Sequence, residues 1–298
     1  MKNLLSKTLL PLLPVLFLAA NSMASSVPET AQKKSAESKA VQTQVEQASS
    51  ARAQNQRSKI TEEAVAAIAQ TETALKALDE GKTDEAIKAL EIATGKLELI
   101  LARDPNLALV PVDVNMITYD LYADVDTVKA VIKEAQDALD HGKIQEARSL
   151  LTSLASEVVM STTSIPLATY PAAIKAVSPM LDKGQTEKAK TALRAALDTL
   201  VVTSEVVPLP LLRSQYMLTA AEKLAEKPNR TDEENQQLNN LLKAAKGELK
   251  LAQVLGYGKG KDFAPLYQQI KSIKDKAAGG KSGKGWFDEL KKKLADLF

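Results

Sequence analysis

His141 is the single histidine in the chain, and the chain has no cysteine. A histidine-based triad, a multi-histidine metal site, thiol catalysis and cysteine-ligated zinc therefore have no residues to work with. His141 falls at an expected helix end. There its ordinary role is an exposed residue, favourable when charged beside a helix C-terminus. Gly280-Lys281-Ser282 has the end of a phosphate-binding loop, but the glycine required five positions earlier is Asp275, and no strand precedes it. Gly256, Gly258 and Gly260 miss the dinucleotide fingerprint by one position. The acid pairs Glu62-Glu63 and Glu233-Glu234 open apolar-periodic runs, where they offset a helix dipole rather than act as general acids. No residue is singled out for catalysis, for a metal or for a cofactor, and the chain is expected to be non-catalytic.

Tyrosines supply the remaining candidate chemistry. Tyr119, Tyr170 and Tyr216 each follow a Val/Ile-Pro segment. With Met116, Met217 and Arg213 they would line one cleft between helices, suited to a small apolar ligand. The competing reading of the same residues is ordinary core packing with a satisfied hydroxyl.

The elements that would carry these residues are organised by a stretch that recurs three times. Leu78-Asp79-Glu80-Gly81, Leu139-Asp140-His141-Gly142 and Leu181-Asp182-Lys183-Gly184 each end one apolar-periodic run and begin another. Each reads as the tip of a helical hairpin, with glycine at the left-handed position past a helix end. Thr83 and Thr186 are placed to cap the following helices. From Gly142 the chain reaches Ile165-Pro166, and from Gly184 it reaches Val207-Pro208 at the same spacing. From Gly81 to Val110-Pro111 the distance is six residues longer. The uneven period argues against a regular solenoid. The expected fold is all-α: an irregular bundle of helical hairpins joined by glycine turns and extended Val/Ile-Pro linkers. The apolar stretches 107–114 and 201–212 are assigned to those linkers, because prolines interrupt them. Val65, Ile68, Leu75 and Leu78, and later Tyr119, Tyr122, Val125, Val128, Ile132 and Leu139, are expected to face inward, with Leu150, Leu151, Leu154 and Val158 as a partner face. Thr231-Asp232-Glu233-Glu234 is a capping box for a later helix.

Residues 1–24 have the form of a signal peptide: Lys2 and Lys7, an apolar run from Leu9 to Ala20, and Ser22-Met23-Ala24 as the cleavage site. Cleavage after Ala24 and a periplasmic location are expected. The whole chain has 39 Lys+Arg and 37 Asp+Glu, so losing Lys2 and Lys7 leaves 37 of each. A neutral chain lacks the basic footprint of a nucleic-acid partner. Residues 25–60 are polar and expected to form a disordered or marginally helical leader. A helical domain at 61–277, a glycine-rich linker at 278–285 and an amphipathic helix at 286–298 complete the expected order. In the last segment Trp286, Phe287, Leu290, Leu294, Leu297 and Phe298 share one face opposite lysines. Such a helix folds back on the body, docks on a partner or makes peripheral membrane contact.

The run from Ala77 to Lys82, Val110-Pro111-Val112-Asp113, the run from Ala138 to Arg148 and Val207-Pro208-Leu209-Pro210 together resemble the YfdX family over roughly residues 60–256. The resemblance implies an exported α-helical protein of the enterobacteria and their relatives, associated with acid and other stress regulons. It implies no enzymatic activity and supplies no catalytic residue. Chaperone-like action on unfolded or partner proteins, or binding of small apolar molecules, would be the expected roles. Docking to an envelope membrane protein as a sensing or scaffold module is the alternative. Homo-oligomerisation is expected from the apolar helical faces.

Overall fold

The computed structural model describes residues 35–298. The expected signal peptide and its cleavage site lie outside the described residues. Helices α1 (Ala36–Ala40) and α2 (Gln42–Arg57) come first, then α3 (Glu62–Asp79), α4 (Thr83–Arg103) and strand β1 (Leu109–Tyr119). Helices α5 (Val125–Asp140) and α6 (Ile144–Thr152) lead into β2 (Glu157–Pro166). The short helices α7 (Tyr170–Lys175) and α8 (Ser178–Asp182), with α9 (Thr186–Leu197), lead into β3 (Val201–Pro208). The chain ends with α10 (Leu209–Glu226), α11 (Asp232–Val254), α12 (Gly260–Ala277) and α13 (Asp288–Ala295).

The fold is mainly helical but not all-α. The three Val/Ile-Pro segments are strands of an antiparallel sheet in the order β1-β2-β3. Helix–turn–helix–strand is thus one unit, used three times. The prolines explain why the strands were hidden. Pro166 and Pro208 end β2 and β3, and Pro111 lies at the irregularity where β1 slips register before Asp113. Those are the positions at which a sheet tolerates a missing N–H. In place of one long helix through Val158, α6 stops at Thr152 and Val158 lies in β2. Tyr119 ends β1, and α5 starts only after Asp124, whose carboxylate accepts from the Thr127 amide at 2.7 Å.

The hairpin tips form as the glycines require. Gly81, Gly142 and Gly184 have φ of 74°, 70° and 67°. Lys82, Lys143 and Gln185 then donate their amides back to Ala77, Ala138 and Met180 at 2.8, 2.8 and 2.9 Å, the bond of a left-handed helix cap. Thr83 and Thr186 are the first helical residues rather than caps. The caps are Lys82 and Gln185, without a side-chain bond. The Thr231–Glu234 capping box forms as read.

Two cores flank the sheet. One buries α3, α4 and α7–α9 with Val110 and Ile165. The other buries α10–α13, the inward residues Val158, Met160 and Val207, and α1–α2 through Val41, Val45 and Ala53. Of the two forms expected for the leader, disordered or marginally helical, α1 and α2 are helical and packed into this core. Three well-spaced small apolar residues and the buried Ser49, which bonds to Val45 O at 2.9 Å, suffice to seat them. The expected flexible linker is also held. Arg230 is buried and donates to the carbonyls of Leu224, Ala225, Lys227 and Lys281. The Gly283 amide meets Ala225 O at 3.1 Å. Beyond it Phe287, Leu290 and Leu294 are buried in the second core, so the tail lies on the body. Among the described residues no helix is long and apolar enough to cross a membrane.

Candidate functional site

The residues proposed for a tyrosine cleft do not converge. Tyr170 is fully buried in the hairpin core beside Ile174 and Val177. Burial pushes its hydroxyl pKa up to about 12, with Thr71 as a polar neighbour. Met217 is buried in the other core, and Met116 and Tyr216 pack against that same core. Tyr119 stands exposed at the end of β1. Strand alternation accounts for the split, since Met116 and Tyr119 fall on opposite faces. Arg213 is buried and pairs with Asp120, Nη2 to Oδ1, at 2.6 Å. It lines a cavity of about 190 Å³ with Ser38, Tyr122 and Glu248. There the Ser38 hydroxyl donates to Glu248 Oε1 at 2.7 Å and ties α1 to α11. The Arg213–Asp120 pair in turn ties α10 to the loop between β1 and α5, and breaking a buried ion pair is costly.

A second cavity, of about 360 Å³, lies between the end of α4 and the start of β1. Its apolar floor is Ile100, Leu107, Leu109 and Val110, with Lys59 and Arg103 at its rim. Arg103 is committed to Glu63 at 2.8 Å. Among the described residues no group of three or more acidic or histidine side chains is gathered as a metal would need.

The site with the most distinctive construction is the sheet itself, and the sequence reading missed it. Ile117 pairs with Val159, and Val159 pairs with Val206. One apolar row therefore crosses all three strands. Beside it run Asn115, Ser161 and Ser204, with the two serine hydroxyls 3.1 Å apart. The next row is Asp113, Thr163 and Val202. All of these share one face because strand side chains alternate. The opposite face carries Val114, Val158, Met160 and Val207 into the core, while Ile117, Tyr119, Val202 and Val206 are exposed.

The two edges of the sheet differ. Along β1, α2 packs against the strand, the Arg57 guanidinium donates to Val114 O at 3.4 Å, and Pro111 and the register slip interrupt pairing. β3 pairs on one side only among the described strands. Its exposed run Val202-Thr203-Ser204-Glu205-Val206 holds a single charge and no proline or lysine. Glu205 accepts one bond, from Gln56 Nε2 at 3.3 Å. Native edges are normally blunted by lysine, proline, bulges or cover, and β3 has none of these inside its exposed run. The signal available in sequence was the β-branched content from Val201 to Val207, outweighed by Pro208 and Pro210.

The family described as YfdX protein matches residues 67–206. Those limits fall within the three hairpin-and-strand units and leave α10–α13 outside. Among solved structures, a crystal structure of Salmonella Typhi YfdX is similar at 17% identity and a TM-score of 0.35, covering 50% of this chain and 93% of that chain. No curated protein matches. Most of the three repeated units and of the sheet they build lies within the matched segment, and over residues 67–206 the chain is similar to the YfdX family.

Proposed function

We propose that the chain is a non-catalytic periplasmic stress-response protein that binds extended segments of unfolded or partner proteins in a chaperone-like manner. The open edge of β3 beside the apolar row Ile117–Val159–Val206, exposed at Ile117 and Val206, is the observation that supports this reading. An extended peptide added to β3 would gain main-chain hydrogen bonds from the edge. Alternate side chains would reach the apolar row. Such binding is tolerant of sequence, as a stress-response holder of unfolded chains requires.

The test is suppression of aggregation of a thermally unfolding reporter enzyme, at neutral and acid pH, by the wild type and by Val202→Lys/Val206→Lys. Both valines are exposed, so the variant is expected to keep its helical spectrum and melting temperature. Lysines on the edge oppose strand addition and remove the apolar row. Suppression by the wild type and its loss in the variant is the expected outcome. No suppression by the wild type at stoichiometric amounts, or full activity of the double variant, would refute the reading. The cavity at Ile100 and Leu107 favours a second reading, a small-molecule-sensing or scaffold module, with an apolar molecule of suitable size as ligand.

A further inference from the structure

From the repeat and its one unsatisfied copy we infer that a second copy of this chain docks on the α5–α6 hairpin, hairpin against hairpin, about a two-fold axis. The three hairpins align on their tip glycines. Three residues before the glycine stand Leu78, Leu139 and Leu181, and nine after it stand Leu90, Leu151 and Leu193. In the first and third hairpins these leucines are buried: Leu78 is 3% exposed, Leu181 5%, Leu90 2% and Leu193 0%. In the second hairpin Leu139 is 48% exposed and Leu151 47%.

The cause of the difference is visible within the chain. The first and third hairpins pack on each other, α3 against α9 and α4 against α7 and α8. The first arm of each thus meets the second arm of the other, which is the pattern of a two-fold. The second hairpin has no such partner in its own chain. α5 rests on α11, and α6 has α5 as its one extensive neighbour among the described elements. Two residues past the glycine, where the paired hairpins have Thr83 and Thr186, the second has Ile144, which is 62% exposed. A solvated hairpin tip would be expected to carry a polar residue there.

Charge identifies the occupant as another hairpin of the same kind. Across the internal contact, Asp79, two residues before its glycine, pairs with Lys190, six residues after its own, at 3.0 Å. In the second hairpin the equivalent positions are Asp140 and Arg148. One hairpin therefore carries both halves of the ion pair. A two-fold pairing of two such hairpins places Asp140 of each copy against Arg148 of the other, forming the contact twice. In the internal pair it forms once, because the position equivalent to Arg148 in the first hairpin is Ile87. A self-complementary patch of this kind is what an isologous interface demands. This surface is separate from the β3 edge and does not rest on the client-binding reading.

Analytical ultracentrifugation of the purified chain and three variants tests the assignment. The wild type is expected to dimerise with rising concentration, and Leu151→Glu to remain monomeric. Asp140→Arg alone and Arg148→Asp alone are each expected to be monomeric, because each places like charges together twice. Mixing those two single variants is expected to restore dimers, now heterodimers with one ion pair reversed and the other native. All the altered side chains are exposed, and an unchanged circular dichroism melt verifies folding. A wild type that stays monomeric overturns the proposal. So does an oligomer unaffected by these substitutions, or a mixture of the two charge variants that fails to associate.

Discussion

At the scale of single residues, the tip glycines make the strongest statement the chain offers. At Gly81 a Cβ would meet no heavy atom within 4 Å, yet φ is 74°. Substitution there is therefore a test of backbone strain with no packing term mixed in. Gly81→Ala is expected to destabilise the fold by about 1 kcal/mol, the cost of holding an L-residue in the left-handed region. Thermal unfolding measures it, and an unchanged or raised melting temperature would contradict the helix-cap geometry. The glycine was readable because no other residue suits that conformation. The neighbouring threonines were misread because the first helical turn accepts Thr83 without using its hydroxyl. Asp79 shows a second residue-scale effect. The hydrogen bond from Lys190, together with desolvation that opposes it and the nearby Arg194, leaves its carboxyl below the usual range. A side chain in a local sequence motif thereby becomes a link between two hairpins far apart in sequence.

At the scale of elements, the tail separates what composition suggests from what packing decides. An amphipathic helix on a glycine-rich tether has the composition of a membrane-surface helix. Here its apolar face is used inside the molecule. Phe287, Leu290 and Leu294 are buried, and Lys291 pairs with Glu222 of α10 at 2.8 Å. Trp286 lies over Gly283, whose missing side chain lets the ring approach: a Cβ there would fall 2.4 Å from the indole. Trp286 emission is expected to be blue-shifted in the free chain and unmoved by anionic vesicles. A red, solvent-like emission that shifts on adding vesicles would mean that the helix undocks. The helical hairpins were legible because their 3.6-residue period persists over several turns. The strands were not, because each ends in or contains a proline and shows no clean alternation of apolar and polar residues. Nor was the seating of α2, since Val41, Val45 and Ala53 form too sparse a stripe to announce a core position. The candidate edge depended on strand identity, and so was lost with it. Leu139 and Leu151 were expected to face inward. They carry the same pattern as their buried equivalents, and nothing local to the hairpin records that its partner helices are missing.

At the scale of the whole molecule, ionisation sets the pH window in which these contacts hold. Burial raises the hydroxyl pKa of Tyr170 and of Tyr267 to about 12, and that of Tyr257 still further; Tyr257 also accepts the Ser156 amide at 2.9 Å. An unfolded tyrosine ionises near 10. The folded values are higher, so the neutral hydroxyls favour the folded state fully below pH of about 10, and that contribution declines as pH rises from there toward the folded values. The acid side has the opposite sign. Glu63 is depressed by the amide at its helix start and by Arg103, Asp79 by Lys190 and Arg194, and Glu234 by Lys227 and the Thr231 amide. Their contribution is present above the unfolded carboxylate values near 4 and is lost as pH falls through the lower folded ones. Tyrosines and carboxylates sit in both halves of the molecule, so both limbs are expected to report global unfolding. In an alkaline titration followed by phenolate absorbance, the signal of the three buried tyrosines should appear above the ordinary tyrosine value and together with loss of the helical signal. All six tyrosines ionising near the ordinary value with helix content intact would contradict the burial of these three rings. On the acid limb Asp79→Asn should lower stability at neutral pH and flatten its fall as the pH drops. An unaltered acid profile would mean that the Asp79–Lys190 link between hairpins is not made in solution.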